Sequence, residues 1–304
     1  MRVAFATSWV LLLVSACGGG SDGLTCNGYA ELCDRSLDEI AVPATHNSMS
    51  NALDPTWVLG THHGDIRDQL EFGIRGLLID TYYGIATDER VVIAPEPYET
   101  AGVDERSVYL CHGYCELGAT GLVDALTDIR DFLRDNPNEV LVLFIQDQIS
   151  PEDTAGAFEE SGLISYVYTH EAGEQWPTLR TMIERGQRVL VMAENDASGP
   201  DWYHDGFKLT QDTPYSFPSP KDFSCEPNRG QPDSPLFLLN HWIAKTEPSP
   251  DDAAVVNDFD VLLARARECQ SKRGLFPNLI AVNFYDIGDL LRVVDVLNGV
   301  ASEP

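Results

Sequence analysis

Residues 74–80 read IRGLLID. A run of branched apolar side chains closes on an acid, Asp80. A strand covered on both faces is written this way, as a continuous apolar run rather than an alternation. The segment therefore reads as a buried strand that delivers Asp80 at its C-terminal end. The same signature recurs at residues 39–44, 107–111, 140–145, 188–193, 236–240 and 279–284. Between these runs the period changes. Residues 117–136 place Leu122, Leu126, Ile129 and Leu133 three and four apart and stop at Asn136-Pro137, where the chain has to leave a helix. Residues 255–269 and 289–297 behave in the same way. Strands alternating with helices imply an α/β fold with a parallel sheet, and at this length a (β/α) TIM-type barrel of ~250 residues. Seven parallel strands are expected. Residues 207–210 supply the eighth or an irregular stretch, so the barrel is allowed to be irregular or incompletely closed.

Two histidines follow apolar runs, His46 in VPATHNS (42–48) and His112 in LCHGYC (110–115). Free imidazole titrates near pH 6.5, so one ring can take a proton from a nucleophile while the other, as imidazolium, gives one to a leaving group. That is the chemistry of phosphodiester cleavage. A lone histidine at a strand end is more often a hydrogen-bonded structural residue than a catalyst, and the neighbours decide between the two. Asn47 and Asp80 carry oxygen donors of the kind a hard divalent cation takes, and in parallel barrels catalytic groups gather at the C-terminal strand ends.

Ordered along the chain are ATHNS at 44–48, QLEFGIRGLLIDTY at 69–82, LCHGYC at 110–115, FLRDNPNEVLVLFIQD at 132–147, WPTL at 176–179, LFLLNHW at 236–242 and PNLIAVNFYD at 277–286. On these seven segments the chain resembles the phosphatidylinositol-specific phospholipase C X-domain phosphodiesterases over residues 38–299, and most of all their secreted, disulfide-containing branch. The resemblance implies a PLC-like barrel. It implies that His46 is the general base on an inositol hydroxyl, that His112 protonates the departing oxygen, and that a cyclic phosphate is the first product. It also implies that an acidic residue near the end of the barrel, here Asp286, orients an imidazole. Calcium-dependent members hold their cation with an asparagine after the first histidine, acidic residues on the second strand and one at the end of the fourth. The corresponding positions are Asn47, Asp80 and Gln146, with Leu78 where a second acid would stand. Metal-independent members carry an arginine on the second strand, and none replaces Asp80 here. A weakly bound Ca²⁺ is the cofactor these positions imply. Asp147 is one residue out of register and should face the other way.

The N-terminus has the layout of an export signal. Arg2 precedes an apolar stretch, and Leu13-Val14-Ser15-Ala16-Cys17 has the form of a lipobox, so residues 1–16 are expected to be a lipoprotein signal peptide, Cys17 the lipidation site, and residues 17–25 a flexible tether. Residues 26–304 then form a single barrel domain. Setting Cys17 aside leaves six cysteines, an even number in an exported chain. Several connectivities are open; proximity favours Cys26 with Cys33 and Cys111 with Cys115, leaving Cys225 with Cys269. A zinc site from Cys111, His112 and Cys115 is disfavoured because oxidation competes. The net charge of −28, from 48 acidic and 20 basic residues, repels nucleic acid and highly phosphorylated headgroups at long range, although its plainest meaning is solubility.

Residues 85–105 and 199–234 lack periodicity and are expected over the catalytic face. There Trp202, Tyr203, Tyr215 and Phe217 either grip a sugar ring or lipid or pack on the rim. Asp65 and Arg75 read as structural. His62, His63, His170, His204 and His241 have no motif, with His241 the first exception to consider, and Ser48 lacks a nucleophile elbow. The sequence thus points to an exported, lipid-anchored, monomeric phosphoric diester hydrolase of the bacterial outer membrane or cell surface, acting on a glycerophospholipid or inositol phosphodiester. The competing reading is a non-catalytic polyol- or glycan-binding lipoprotein on a degenerate barrel, favoured by Leu78 and Gln146. A glycerophosphodiesterase type of reaction is disfavoured because the second strand lacks a Glu-x-Asp pair.

Overall fold

The computed structural model describes residues 23–87, 91–93 and 106–303. The expected signal peptide at 1–16, the expected lipidation site Cys17 and much of the 85–105 stretch lie outside the described residues. Seven parallel strands form a continuous ladder, in the spatial order Thr210–Asp212, Leu236–His241, Leu279–Val282, Val42–Thr45, Gly76–Ala86, Leu141–Asp147 and Val189–Ala193. The far edge of Val189–Ala193 is shared by two short parallel strands. Val167–Tyr168 pairs its first half and Tyr203–Asp205 its second. From Tyr203–Asp205 a single-turn helix, Gly206–Leu209, leads into Thr210–Asp212, with no ladder between the two strands. The sheet is therefore a TIM-type barrel left open at one seam.

Alternation along each strand sorts the side chains. Leu141, Leu143 and Ile145 face outward and pack with the buried face of the helix Leu122–Asp135, made by Leu122, Leu126, Ile129 and Leu133. Val142 and Phe144 face inward and share the barrel interior with Val42, Ala44, Leu190, Met192, Leu238 and Ala281. This two-sided burial is why the strands read as unbroken apolar runs.

Three expectations are corrected. Residues 107–111 are not a parallel stave: Ser107–Leu110 returns antiparallel along the extended second strand, Tyr82 opposite Tyr109, because the connection contains no crossover helix among the described residues. The helix expected over 255–269 is two helices, Pro250–Val256 and Phe259–Arg273. Between them Asn257, fully buried, donates from Nδ2 to Asn283 O at 2.9 Å and Ile287 O at 3.2 Å, and the Asp258 carboxylate caps the second helix. The additional stave expected over 207–210 falls at Thr210–Asp212, after a helical turn, and is the seventh of the ladder, since 107–111 is not one of its staves.

Three disulfides are present, Cys26–Cys33, Cys111–Cys115 and Cys225–Cys269. Asp65 caps the helix Ile66–Phe72, and Arg75 pairs with Glu139 at 2.7 Å; both are structural, as read from the sequence.

Candidate active site

Counting two residues beyond the last inward-facing side chain of each stave gives one polar residue per strand: His46 after Ala44, Asp80 after Leu78, Gln146 after Phe144, Glu194 after Met192, Asp212 after Thr210, Asn240 after Leu238 and Asn283 after Ala281. The period of two carries each onto the interior face, where the barrel stops being apolar. They form a polar ring at its C-terminal mouth. Above it is a cavity of about 600 Å³ lined by His46, Asn47, Asp80, His112, Gln146 and Glu194, among others.

His46 is fixed on several sides. Its backbone N–H donates to Val282 O at 3.0 Å, and its carbonyl accepts from His62 Nε2 at 2.8 Å. Its ring stacks on Trp242, centroids 3.8 Å apart and planes 6° from parallel. Nδ1 lies 3.0 Å from Asn283 Oδ1, which can only accept, so Nδ1 carries the proton and Nε2 keeps a lone pair. Burial holds the imidazole down, to about 3, against the raising effect of the Asn283 bond. Asn47 follows at φ 52°, a left-handed conformation that asparagine tolerates, and this turns the chain out of the strand.

His112 is tuned the other way. It sits in the tight loop closed by Cys111–Cys115, and its Nδ1 donates to Asp80 Oδ2 at 2.8 Å. That bond pushes its pKa up, over the opposing cost of desolvation. The two rings are 6.4 Å apart and near perpendicular. A cavity in which one imidazole is kept neutral and the other is favoured as imidazolium holds a base and an acid ready for opposite proton transfers.

Asp286 is a correction. Its carboxylate accepts from His63 Nδ1 at 2.7 Å and is outside the cavity lining, whereas the partner of His46 is Asn283, three residues earlier. Asp286 follows the strand by too many residues to keep its alternation. Asp147 turns away as expected, its carboxylate taken by the backbone N–H groups of Asn195 and Asp196, both at 2.9 Å. His241 is buried and structural, bonded to Val256 O at 2.7 Å and to Arg265 at 2.9 Å. Of the four loop aromatics only Tyr215 lines the cavity; Trp202 packs on Phe158, Phe217 on Phe223, and Tyr203 is buried. Trp57, Tyr114, Phe144 and Trp242 line the cavity as well, and Trp242 is the ring stacked on His46.

Asn47, Asp80 and Gln146 all face the cavity, and Asp80 and Gln146 are register partners. Their oxygens are of the right chemistry for calcium, but they bring a single carboxylate, one oxygen of which is given to His112. Leu78 lines the cavity and adds no donor. No cluster of three or more His, Cys, Asp or Glu arranged for a metal exists among the described residues. The donor set thus fits a hard cation in type and only weakly in charge.

Sequence reasoning had passed over Asn283, Glu194, Trp242 and Arg229. The first two could have been found by the count of two along each strand, and Trp242 by one further step of two past Asn240. Arg229 could not, since it enters from an aperiodic segment.

Comparison with known proteins agrees with this architecture. The family model described as PI-PLC X 1 matches residues 98–298. An uncharacterized secreted protein of the fungus Arthroderma benhamiae is 30% identical over 307 residues, covering 90% of this chain and 64% of that protein, so the chain spans under two thirds of that relative's length. The PI-PLC X domain-containing protein 1 of the same fungus is 28% identical, covering 91% of this chain and 90% of that protein. Among solved structures, the phosphatidylinositol-specific phospholipase C of Staphylococcus aureus superposes with a TM-score of 0.53 at 16% identity, covering 88% of this chain and 94% of that one, a likeness of fold. The open barrel, the mouth-facing polar ring and the family match agree, and the chain belongs to the PI-PLC X family.

Proposed function

We propose that this protein is an exported phosphodiesterase of the phospholipase C type, cleaving a glycerophosphodiester by acid–base exchange between His46 and His112. What supports it is the opposed tuning of two imidazoles that share one cavity. Export is supported by the three disulfides, which belong to oxidising compartments.

In this reading Nε2 of His46 takes the proton of a headgroup hydroxyl as its oxygen bonds to phosphorus. The ester bond to the departing alcohol breaks, and Nε2–H of His112 protonates that oxygen. A cyclic phosphate and a free alcohol leave. The first step is intramolecular, so orientation contributes several kcal/mol to lowering the barrier. Asp80 stabilises the His112 imidazolium, and Asn283 and Trp242 hold the His46 ring in the tautomer that exposes Nε2. A calcium ion held by Asn47, Asp80 and Gln146 would offset negative charge on the phosphate.

The test is phosphorus NMR of products from phosphatidylinositol and other glycerophospholipids. A cyclic phosphate is expected, with turnover lowered by about 10² or more in both His46→Ala and His112→Ala. An activated leaving group should partly rescue only His112→Ala. Activity should fall in chelator and return with added Ca²⁺. Near-normal turnover in either histidine variant sinks the assignment, and full activity in excess chelator removes the metal from it.

A further inference from the structure

The amide that fixes the base is itself held at a strained turn. Asn283 follows the strand Leu279–Val282, and Phe284 after it stands at φ 49°, a left-handed conformation that a bulky side chain does not adopt unaided. The peptide unit between the two is held at both ends. Its C=O, that of Asn283, accepts from Asn257 Nδ2 at 2.9 Å, and its N–H, that of Phe284, donates to Thr61 O at 2.9 Å. Thr61 also donates from Oγ1 to Asn47 O at 3.1 Å, and its neighbour His62 donates to His46 O, so one short segment ties the backbone of the base to the backbone of its partner. Asn257 is the side chain that completes this clamp from outside. It is fully buried between the helices Pro250–Val256 and Phe259–Arg273 and lies outside the cavity lining. Nδ2 faces three carbonyl oxygens, those of Asn283, Ile287 and, at 3.5 Å, Phe284, which assigns it as the nitrogen. Oδ1 has no hydrogen-bond partner among the described residues. A buried acceptor left idle costs stability, so this amide serves as a donor, and what it holds is Asn283.

We propose that Asn257 is a positioning residue for the base: by holding the strained Asn283–Phe284 peptide it aims Asn283 Oδ1 at Nδ1 of His46 and leaves Nε2 as the nitrogen with the lone pair. The inference rests on the phosphodiesterase reading above and adds a residue to its machinery. Freed from Asn257, Phe284 relaxes to a negative φ. That turns the peptide over and takes the Asn283 side chain, 3.0 Å from His46 Nδ1, out of reach. The imidazole then has no acceptor to keep its proton on Nδ1, and a ring protonated at Nε2 offers a hydrogen where the base needs a lone pair. The stack on Trp242 still holds the plane of the ring, so what is lost is the tautomer and not the place. His112 and Asp80 lie apart from this clamp and keep their bond.

The experiment uses the full chain and reads two quantities, the tautomer of His46 from long-range proton–nitrogen NMR spectra and kcat on phosphatidylinositol. In the wild type Nδ1 should carry the proton. Asn257→Ala should shift much of the His46 population to the Nε2–H form and lower kcat by about tenfold. Asn283→Ala should do the same. The double variant should stay within about twofold of Asn283→Ala in kcat, because Asn257 then has nothing left to act through. A residue that only supports the fold would instead add its own loss to that of Asn283→Ala. Asn257→Val, close to asparagine in size and without a donor, repeats the cycle where the alanine variant does not fold. A His46 that keeps its proton on Nδ1 in Asn257→Ala or Asn257→Val, or losses that multiply in the double variant, overturns the proposal. If no lipid is cleaved the phosphodiesterase reading fails, and the tautomer arm still decides Asn257.

Discussion

Asp80 has two possible duties, and they can be separated. Its Oδ2 accepts the proton-bearing Nδ1 of His112, while its position beside Asn47 and Gln146 offers an oxygen to a cation. The carboxylate raises the His112 pKa, so the alkaline limb of kcat/KM, which reports loss of the acid in the free protein, should lie above the usual histidine value. Asp80→Asn removes the charge and the strong acceptor, and the His112 imidazolium then gives up its proton at lower pH. In saturating Ca²⁺ the variant should therefore lose more activity at pH 8 than at pH 6. A pH–rate profile with an unmoved alkaline limb and only a higher Ca²⁺ requirement would mean that Asp80 serves the metal alone. Asp80 and the two histidines were legible because each closes an apolar run. Asn283 was not, because the search for a partner to an imidazole favours an acid and so settles on Asp286. The neutral amide suits a base better, since it fixes the tautomer while stabilising the charged ring less than a carboxylate would.

At the scale of elements, the loop that presents His112 is the least conventional part of the barrel. The strand before it runs antiparallel and sits over the mouth, and the His112 side chain is 60% exposed, so little packing holds it. What holds it is the Cys111–Cys115 bridge, the Cys111 N–H on Asp80 O at 3.2 Å, and the Asp80 carboxylate. Gly113, at φ 75°, makes the turn between the two cysteines possible. Replacing both cysteines by serine should cost about 2 kcal/mol of stability, as for any short closed loop. It should also lower kcat by about tenfold, because the acid is no longer held against Asp80. A lowered melting temperature with unchanged kcat would show that the hairpin and Asp80 suffice. The short spacing made this pair readable from sequence. The antiparallel course of its strand was not, since an apolar run reads alike in either direction and only the missing crossover helix distinguishes them.

Taken whole, the molecule gathers three of its histidines into places where they cannot be charged. Burial pushes His46 and His241 down to about 3 and His62 to about 4. Each unfolded imidazole titrates near 6.5. The stability these residues contribute is therefore complete above pH 6.5 and is lost as pH falls toward the folded values, because the unfolded chain then binds protons that the folded one refuses. Buried carboxyls act in the opposite sense, Glu194 above all, since its folded pKa is raised. The net slope of stability with pH thus mixes both, and a difference between two proteins isolates one group. His241 is the group to use, because it lies outside the cavity: it donates to Val256 O and accepts from Arg265. His241→Asn should be less stable than the wild type at pH 7 by about 1–3 kcal/mol, the usual cost of leaving buried partners unsatisfied. Below pH 6.5 the wild type alone carries the proton penalty of this site, so the gap should narrow by about 1.4 kcal/mol for each pH unit. The raised carboxyls and the net acidic charge are common to both proteins and cancel. Urea denaturation at pH 7 and pH 5 measures the gap directly, and a gap of the same size at both values would mean that His241 takes up its proton at the same pH in the folded and unfolded chains, so that burial does not depress it.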